Sequence, residues 1–218
     1  KYPAQINSFK QAKVYSRILG VLEEKYFEEG KAINKGDVLF KIEDDLYQAK
    51  LDAAEASVKM NEATLNNATR SWERIQKLYN TNAVTTEQRD STLSAYQNAL
   101  ASLSMSKAEL NQATIDLNYT KVKAPISGIT GLKNVDLGNL VTANPPMELV
   151  TISQNDKVYI DFSMPLSDYS NIKNGLWKMP ANGKIQVDIN INGQTNKQSG
   201  FVDFIDVNID QKTSTVKM

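Results

Sequence analysis

From Asp45 onward, apolar residues return at alternating spacings of four and three. Tyr47, Leu51, Ala54, Val58, Leu65, Ala68, Trp72, Ile75 and Tyr79 keep the rhythm, and Asn61 is its one polar member. A seam sustained for about five heptads, with no Gly or Pro inside it, predicts a long helix that packs along another helix. A second seam runs through Leu93, Tyr96, Leu100, Leu103, Leu110 and Leu117, interrupted by Lys107 and Thr114. Asn61 and Lys107 lie at similar distances from the break between the arms, which predicts a polar layer that sets register. Each arm would reach roughly 50 Å at the helical rise per residue. A break of about six residues forces the arms antiparallel, with a tip at 79–86. Asp45 followed by Gln48 has capping-box spacing at the start of the first arm.

The segments flanking this hairpin resemble each other. Upstream stands "ILGVLEEKYFEEGKAI" (18–33) and downstream "ISGITGLKNVDLGNLV" (126–141). At one constant offset, Ile18 meets Ile126, Gly20 meets Gly128, Val21 meets Ile129, Gly30 meets Gly138 and Ile33 meets Val141. Each copy then enters a β-rich run, "VLFKI" or "LVTI". Equally spaced glycines predict turns reused in both copies, at Gly20, Gly30, Gly128 and Gly138, with a further turn at Gly36. The two copies read as half-motifs of one β-module, apart in sequence and joined in space.

After residue 155 the period becomes two. "VYIDFSM" puts Val158, Ile160, Phe162 and Met164 on one face of a strand. A short helix follows, with Pro165 at its start and Gly175 at its stop. "KIQVDINING" alternates again, and Asn192-Gly193 predicts a hairpin turn. Short antiparallel strands with one small helix suggest a small barrel, incomplete by itself, which the strand at 2–8 returns to help close.

Composition mostly excludes. The 218 residues carry 25 basic and 25 acidic side chains, so net charge argues for no nucleic-acid partner. There is no Cys and no His, which removes disulfides, thiolate metal sites, Cys nucleophiles and His bases. The methionines are scattered rather than clustered as a soft-metal site. No nucleotide-binding G-x-x-x-x-G-K-[ST] run is present. No apolar run is long enough to span a membrane. Both ends fall on strand-like alternation, so the expectation is a longer protein whose missing ends hold a signal or anchor.

Together, a split β-module, an inserted helical hairpin and a small barrel resemble the periplasmic adaptors, the HlyD-like membrane fusion proteins of tripartite resistance-nodulation-division efflux systems. "FEEGKAINKGDVLFKIEDDLYQAKLDAAEA" (27–56) looks like that family's first lipoyl-like half entering the hairpin. "LNYTKVKAPISGITG" (117–131), with Ala124-Pro125 and Gly128, looks like the return into the second half. The resemblance implies an α+β multidomain fold, with an antiparallel coiled-coil hairpin inserted in a split lipoyl-like module and a β-barrel after it. Its expected divisions are a barrel strand at 1–11, lipoyl-like halves at 12–43 and 120–154, the hairpin at 44–119 and the barrel at 155–218. It also implies a protein of the periplasm, anchored to the inner membrane through a missing N-terminal segment. Such a protein joins an inner-membrane transporter to a TolC-like outer-membrane channel and associates with itself into a hexameric ring. Its work is assembly rather than chemistry, and no cofactor is expected. True lipoyl and biotinyl carriers present a modified Lys where this chain inserts its hairpin, and no Met-Lys-Met occurs.

The tip carries the most specific part of the resemblance. Channel-docking adaptors have an Arg, a Leu four residues on and a Ser seven after that; here these are Arg74, Leu78 and Thr85. Thr for Ser is a departure that keeps the hydroxyl, and Asp90 stands where the family usually has Asp. Ala83 and Val84 at the apex join the expected contact. Local physics competes for part of this set. Thr85 with Gln88 is a capping box, and Asp90, in the expected first turn, suits the helix dipole. Leu78 and Arg74 lie one turn apart, off the seam that uses Ile75 and Tyr79, so the hairpin itself does not require them. Trp177, in the barrel region, fits either a core or a substrate-stacking role. Three rival readings remain: an adaptor for a type I secretion or ABC-type exporter, a carrier with a modified Lys, and a purely structural coiled-coil protein.

Overall fold

The structure is a computed structural model that describes residues 2–176, 185–190, 198–206, 208–210 and 213–218. Its contacts divide the chain into two compact units, one of residues 11–153, the other of residues up to 10 with those from 154 onward. Trp177 and the Asn192-Gly193 turn lie outside the described residues.

The larger unit is built on a repeat. Strands β2 (Gly20–Lys25) and β3 (Ala32–Ile33) recur 108 residues later as β6 (Gly128–Lys133) and β7 (Leu140–Val141). The end of β1 (Ala4–Tyr15) recurs in the same way as β5 (Lys121–Lys123). β4 (Val38–Ile42) corresponds to the start of β8 (Glu148–Pro165). Pairing follows the repeat. One sheet has the order β5-β4-β2-β7; in the other, β1 pairs β8, β8 pairs β6 and β6 pairs β3. Each half therefore lends a short strand to the other half's sheet: β7 pairs β2, and β3 pairs β6. Between the sheets lies one core in which Leu22, Leu39, Phe40, Ile42, Val141, Leu149, Val150 and Ile152 are fully buried. Phe27 meets Phe40 edge-on at 5.2 Å between centroids, a favoured aromatic geometry.

The glycines need a correction. Gly30, Gly36 and Gly138 occupy turns with φ of 76°, 94° and 85°. Gly20 and Gly128 are not turns; each opens a strand. A Cβ on Gly20 would lie 2.6 Å from Ile42 Cγ2, and one on Gly128 would lie 2.6 Å from the Ser153 carbonyl oxygen. These two are kept small by close approach of strands, not by backbone conformation.

The inserted hairpin consists of α1 (Asp45–Asn80, 36 residues) and α2 (Thr86–Thr120, 35 residues). Contacts of Glu62 with Lys107 and of Tyr79 with Thr86 show that the arms run antiparallel. On α1, Val58 is buried, while Leu51, Asn61, Leu65, Trp72 and Ile75 are half-buried along one stripe. On α2, Leu103 is buried and Leu93, Tyr96, Leu110 and Leu117 are half-buried. Leu100 is not on the seam: it is 48% exposed, whereas Ala99 and Ser106 are buried. The seam of α2 steps from Tyr96 through Ala99, Leu103, Ser106 and Leu110 to Ala113, so small residues alternate with large ones where the helices meet. Lys107 and Thr114 point outward for the same reason. There is no Asn61–Lys107 layer: Asn61 donates to the Ser57 carbonyl, and Lys107 reaches Glu62 at 3.6 Å. The start of α1 differs too. Its N-cap is Asp44, in αR geometry, and its side chain caps nothing. The Asp44 carboxylate instead lies 3.5 Å from Lys41, and Gln48 donates to Asp52.

In the smaller unit, β8 pairs with β12 (Thr215–Lys217), which pairs with β11 (Ile209–Asp210). β9 (Gln186–Ile189) and β10 (Gln198–Phe201) form a separate ladder. Met164, Val216 and Met218 are buried, whereas Val158 is 47% exposed, so the inward face predicted for β8 holds only toward its end. Helix α3 (Leu166–Lys173) follows Pro165 and ends with Gly175 at φ 72°. Tyr2 donates to Asp168 at 2.6 Å, and that bond pushes the phenol's pKa up to about 12.

Glu148, at the start of β8, accepts from the Thr151 hydroxyl at 2.8 Å, from Lys13 at 3.0 Å and from Asn134 at 3.2 Å. Of these bonds to the charged form, that from Thr151 contributes most and that from Lys13 next, and together they hold the carboxyl below the usual range. Because the folded pKa lies under the unfolded one, the group stabilises the fold above about pH 4.3 and loses that contribution as pH falls through the folded value. In Glu148→Gln, the deficit in urea midpoint relative to wild type should therefore be largest near neutrality and shrink in acid.

Candidate functional site

The hairpin tip is a tightly specified turn. Asn82 has φ 56°, the left-handed conformation that ends a helix and that Asn tolerates better than most residues. Around it, the Asn82 amide donates to the Tyr79 carbonyl at 2.9 Å and the Ala83 amide to the Leu78 carbonyl at 2.9 Å. This is the Schellman pattern. The Leu78 carbonyl also accepts from the Thr81 amide and hydroxyl, at 3.2 and 2.9 Å. Leu78 thus holds the turn through its backbone, which leaves its side chain free of that task.

The second helix starts with a complete capping box. The Gln88 amide donates to Thr85 Oγ1 at 3.2 Å, and the Thr85 amide donates to Gln88 Oε1 at 3.4 Å. Thr85→Ala should lower unfolding stability by about 1 kcal/mol, while Thr85→Ser should stay within a few tenths; urea titrations of the two variants measure the difference. Asp90 is not in the first turn of α2, where the acidic residue is Glu87. The exposed Asp90 carboxylate accepts from Arg89 at 2.7 and 2.9 Å, and this pairing raises the Arg89 pKa. Arg89 also lies over the Tyr79 ring at 4.7 Å, bracing the two arms at the turn.

On the outer face of α1, Arg74 is exposed and donates to the Ser71 hydroxyl at 3.5 Å. Leu78 is 39% exposed. The two border a shallow depression completed by Arg70, Glu73 and Lys77. Among the described residues, no ion pair engages Arg70, Arg74 or Lys77. Residues 70, 74 and 77 share one helical stripe, so the face extends beyond the Arg74–Leu78 pair that the sequence predicts. Ala83 is exposed at the apex, and Val84 is half-buried beside it. Among the described residues, no group of three or more acidic side chains could hold a metal ion. No described helix is long and apolar enough to cross a membrane.

A duplicated β-module that projects a capped helical hairpin and is followed by a second β-unit is the architecture of a membrane fusion protein. The chain belongs to the RND membrane fusion protein family: the family's barrel-sandwich hybrid domain matches residues 10–153, and its β-barrel domain matches residues 157–218. The chain is 31% identical to multidrug resistance protein MdtE of Escherichia coli K12, over 99% of this chain and 57% of MdtE. It is 33% identical to multidrug efflux pump subunit AcrA of the same strain, over 99% of this chain and 55% of AcrA. It thus spans little more than half the length of these curated relatives. Among solved structures, the fold is similar to the membrane fusion protein Spr0693 of Streptococcus pneumoniae R6, with a TM-score of 0.73 at 16% identity, covering 98% of this chain and 89% of that one. It is also similar to a MacA–MexA chimera carrying the Pseudomonas aeruginosa MexA α-hairpin, with a TM-score of 0.68 at 21% identity, covering 99% and 72%.

Proposed function

We propose that the protein containing this chain is the periplasmic adaptor of a tripartite drug-efflux pump, joining an inner-membrane RND transporter to a TolC-like outer-membrane channel. It acts by assembly, with no catalytic step of its own, and it works as a ring of copies anchored at the inner membrane. Residues 12–43 and 120–154 form its lipoyl-like module, 44–119 the coiled-coil hairpin, and 1–11 with 155–218 the barrel. The channel meets the tip through Arg74, Leu78, Ala83, Val84, Thr85 and Asp90. The observation that carries this reading is the outward Arg74–Leu78 face, which neither the helix seam nor the turn uses.

In the full-length protein, Arg74→Asp and Leu78→Ser should each bring efflux close to the level of a strain lacking the adaptor. Both should also abolish crosslinking of the tip to the channel, while leaving the unfolding midpoint unchanged. Wild-type efflux and crosslinking in both variants would remove the docking role.

A further inference from the structure

A tip that docks must be pointed, and the residues that point it lie at the other end of the hairpin. The turn Ser16–Leu19, between β1 and β2, touches both helices. Its Leu19 carbonyl accepts from the Tyr47 hydroxyl of α1 at 2.7 Å. Its Arg17 guanidinium lies over the Tyr119 ring of α2 at 5.1 Å. Both tyrosine rings also pack against the core of the β-module. The turn is itself firmly seated. Ser16 and Ile18 are buried, the Ser16 hydroxyl donates to the Ile18 carbonyl at 2.6 Å, and the Ser16 amide donates to the Met147 carbonyl at 3.0 Å.

The repeat provides a comparison within the same molecule. The equivalent turn of the second half is 124–127, and it is anchored in the same manner, by the Ala124 amide donating to the Asp37 carbonyl at 2.9 Å. There, Pro125 replaces Arg17 and Ser127 replaces Leu19. Ser127 accepts from the Lys35 amide within the module at 2.8 Å, and among the described residues neither Pro125 nor Ser127 makes a hydrogen bond or ring contact with a helix. The frame of the turn is thus common to both halves, and the contacts to the hairpin are peculiar to one.

We propose that Arg17, Tyr47 and Tyr119 are positioning residues: a two-point seat on the Ser16–Leu19 turn that fixes the direction of the hairpin. Half-buried rings packed against the module resist withdrawal of each helix, and the hydroxyl and guanidinium contacts resist pivoting about those rings. One contact on each arm blocks both tilt and twist, which a single contact would not. The geometry is independent of the docking proposal, and only its consequence, presentation of the tip, rests on it.

The test needs no partner. Spin labels at Lys31→Cys on the module and Lys59→Cys on α1 of the full-length protein report the angle of the hairpin as a distance distribution. The wild-type background should give one narrow distribution. Each contact removed, by Tyr47→Phe or Arg17→Ala, should raise the unseated population about fivefold, as expected for loss of one modest polar interaction. Arg17→Lys, which keeps a cation over the ring, should restore the narrow distribution, and the unfolding midpoint should move little. Superimposable distributions for wild type and the Tyr47→Phe/Arg17→Ala double variant would overturn the proposal. So would broadening that tracks a fall in unfolding midpoint and is not rescued by Arg17→Lys.

Discussion

Gly128→Ala should destabilise the β-module by about 3 kcal/mol, although in an open strand the same change would stabilise by roughly 0.5–1 kcal/mol. The reversal of sign comes from one contact. The new Cβ would stand 2.6 Å from the Ser153 carbonyl oxygen and 3.0 Å from Ile152 Cγ2. The carbonyl belongs to the paired strand β8, so relief requires moving a backbone that holds the sheet together. Gly131→Ala in the same strand is the comparison: its Cβ would be 3.2 Å from the Thr151 oxygen, and its effect should be clearly smaller. Urea unfolding followed by near-UV circular dichroism measures both. Equal midpoints for the two variants would contradict the argument from close approach.

Phe40→Ala should cost about 3–5 kcal/mol, the range for removing a fully enclosed aromatic ring. Phe40 is 0% exposed, on the central strand β4. Its loss leaves a cavity beneath both sheets and deprives Phe27 of its edge-on partner. At that magnitude the variant keeps little of the stability of an ordinary domain. Phe40→Leu should recover more than half of the loss, because most of the apolar volume returns. The midpoint of thermal unfolding, followed for each variant, distinguishes the two.

The features most legible in the sequence were those that repeat. The hairpin could be read because its seam returns every three or four residues, and the β-module because its halves share an offset. Where the folded chain departs from the pattern of its sequence, the physical reason differs from place to place. The apolar spacing points to Leu100 as a seam residue, yet at this step of the seam the smaller Ala99 faces inward and Leu100 is left outside. The glycines 20 and 128 were read as turns because glycine most often signals conformation, whereas here it signals the proximity of another strand. Asp45 and Gln48 had the spacing of a cap, but spacing does not reveal that Asp44 takes αR geometry and Lys41 occupies its carboxylate. At the tip, the Thr85–Gln88 box follows from local chemistry alone and was visible. The left-handed residue is less legible, because Asn80 and Asn82 both follow the last seam residue Tyr79 and only the folded turn shows that Asn82 takes that conformation. Arg70 and Lys77 were missed as members of the Arg74–Leu78 face because shared exposure on one stripe is a property of the folded helix.

The exchange of short strands between the halves of the β-module bears on how the chain acquires its structure. β2 pairs β7 and β3 pairs β6, so the strands of the first half stay without these partners during synthesis until the second half has emerged. Closing that gap as a floppy loop would be slow and entropically costly. The intervening residues are instead two helices whose contacts are short in sequence near the tip and lengthen steadily toward the base. Zipping from Thr85 downward would carry Ile42 and Lys121 toward each other one helical turn at a time. Such an order would make the hairpin the chain's own assembly guide, delivering the two halves of its platform to one another before it reaches any partner.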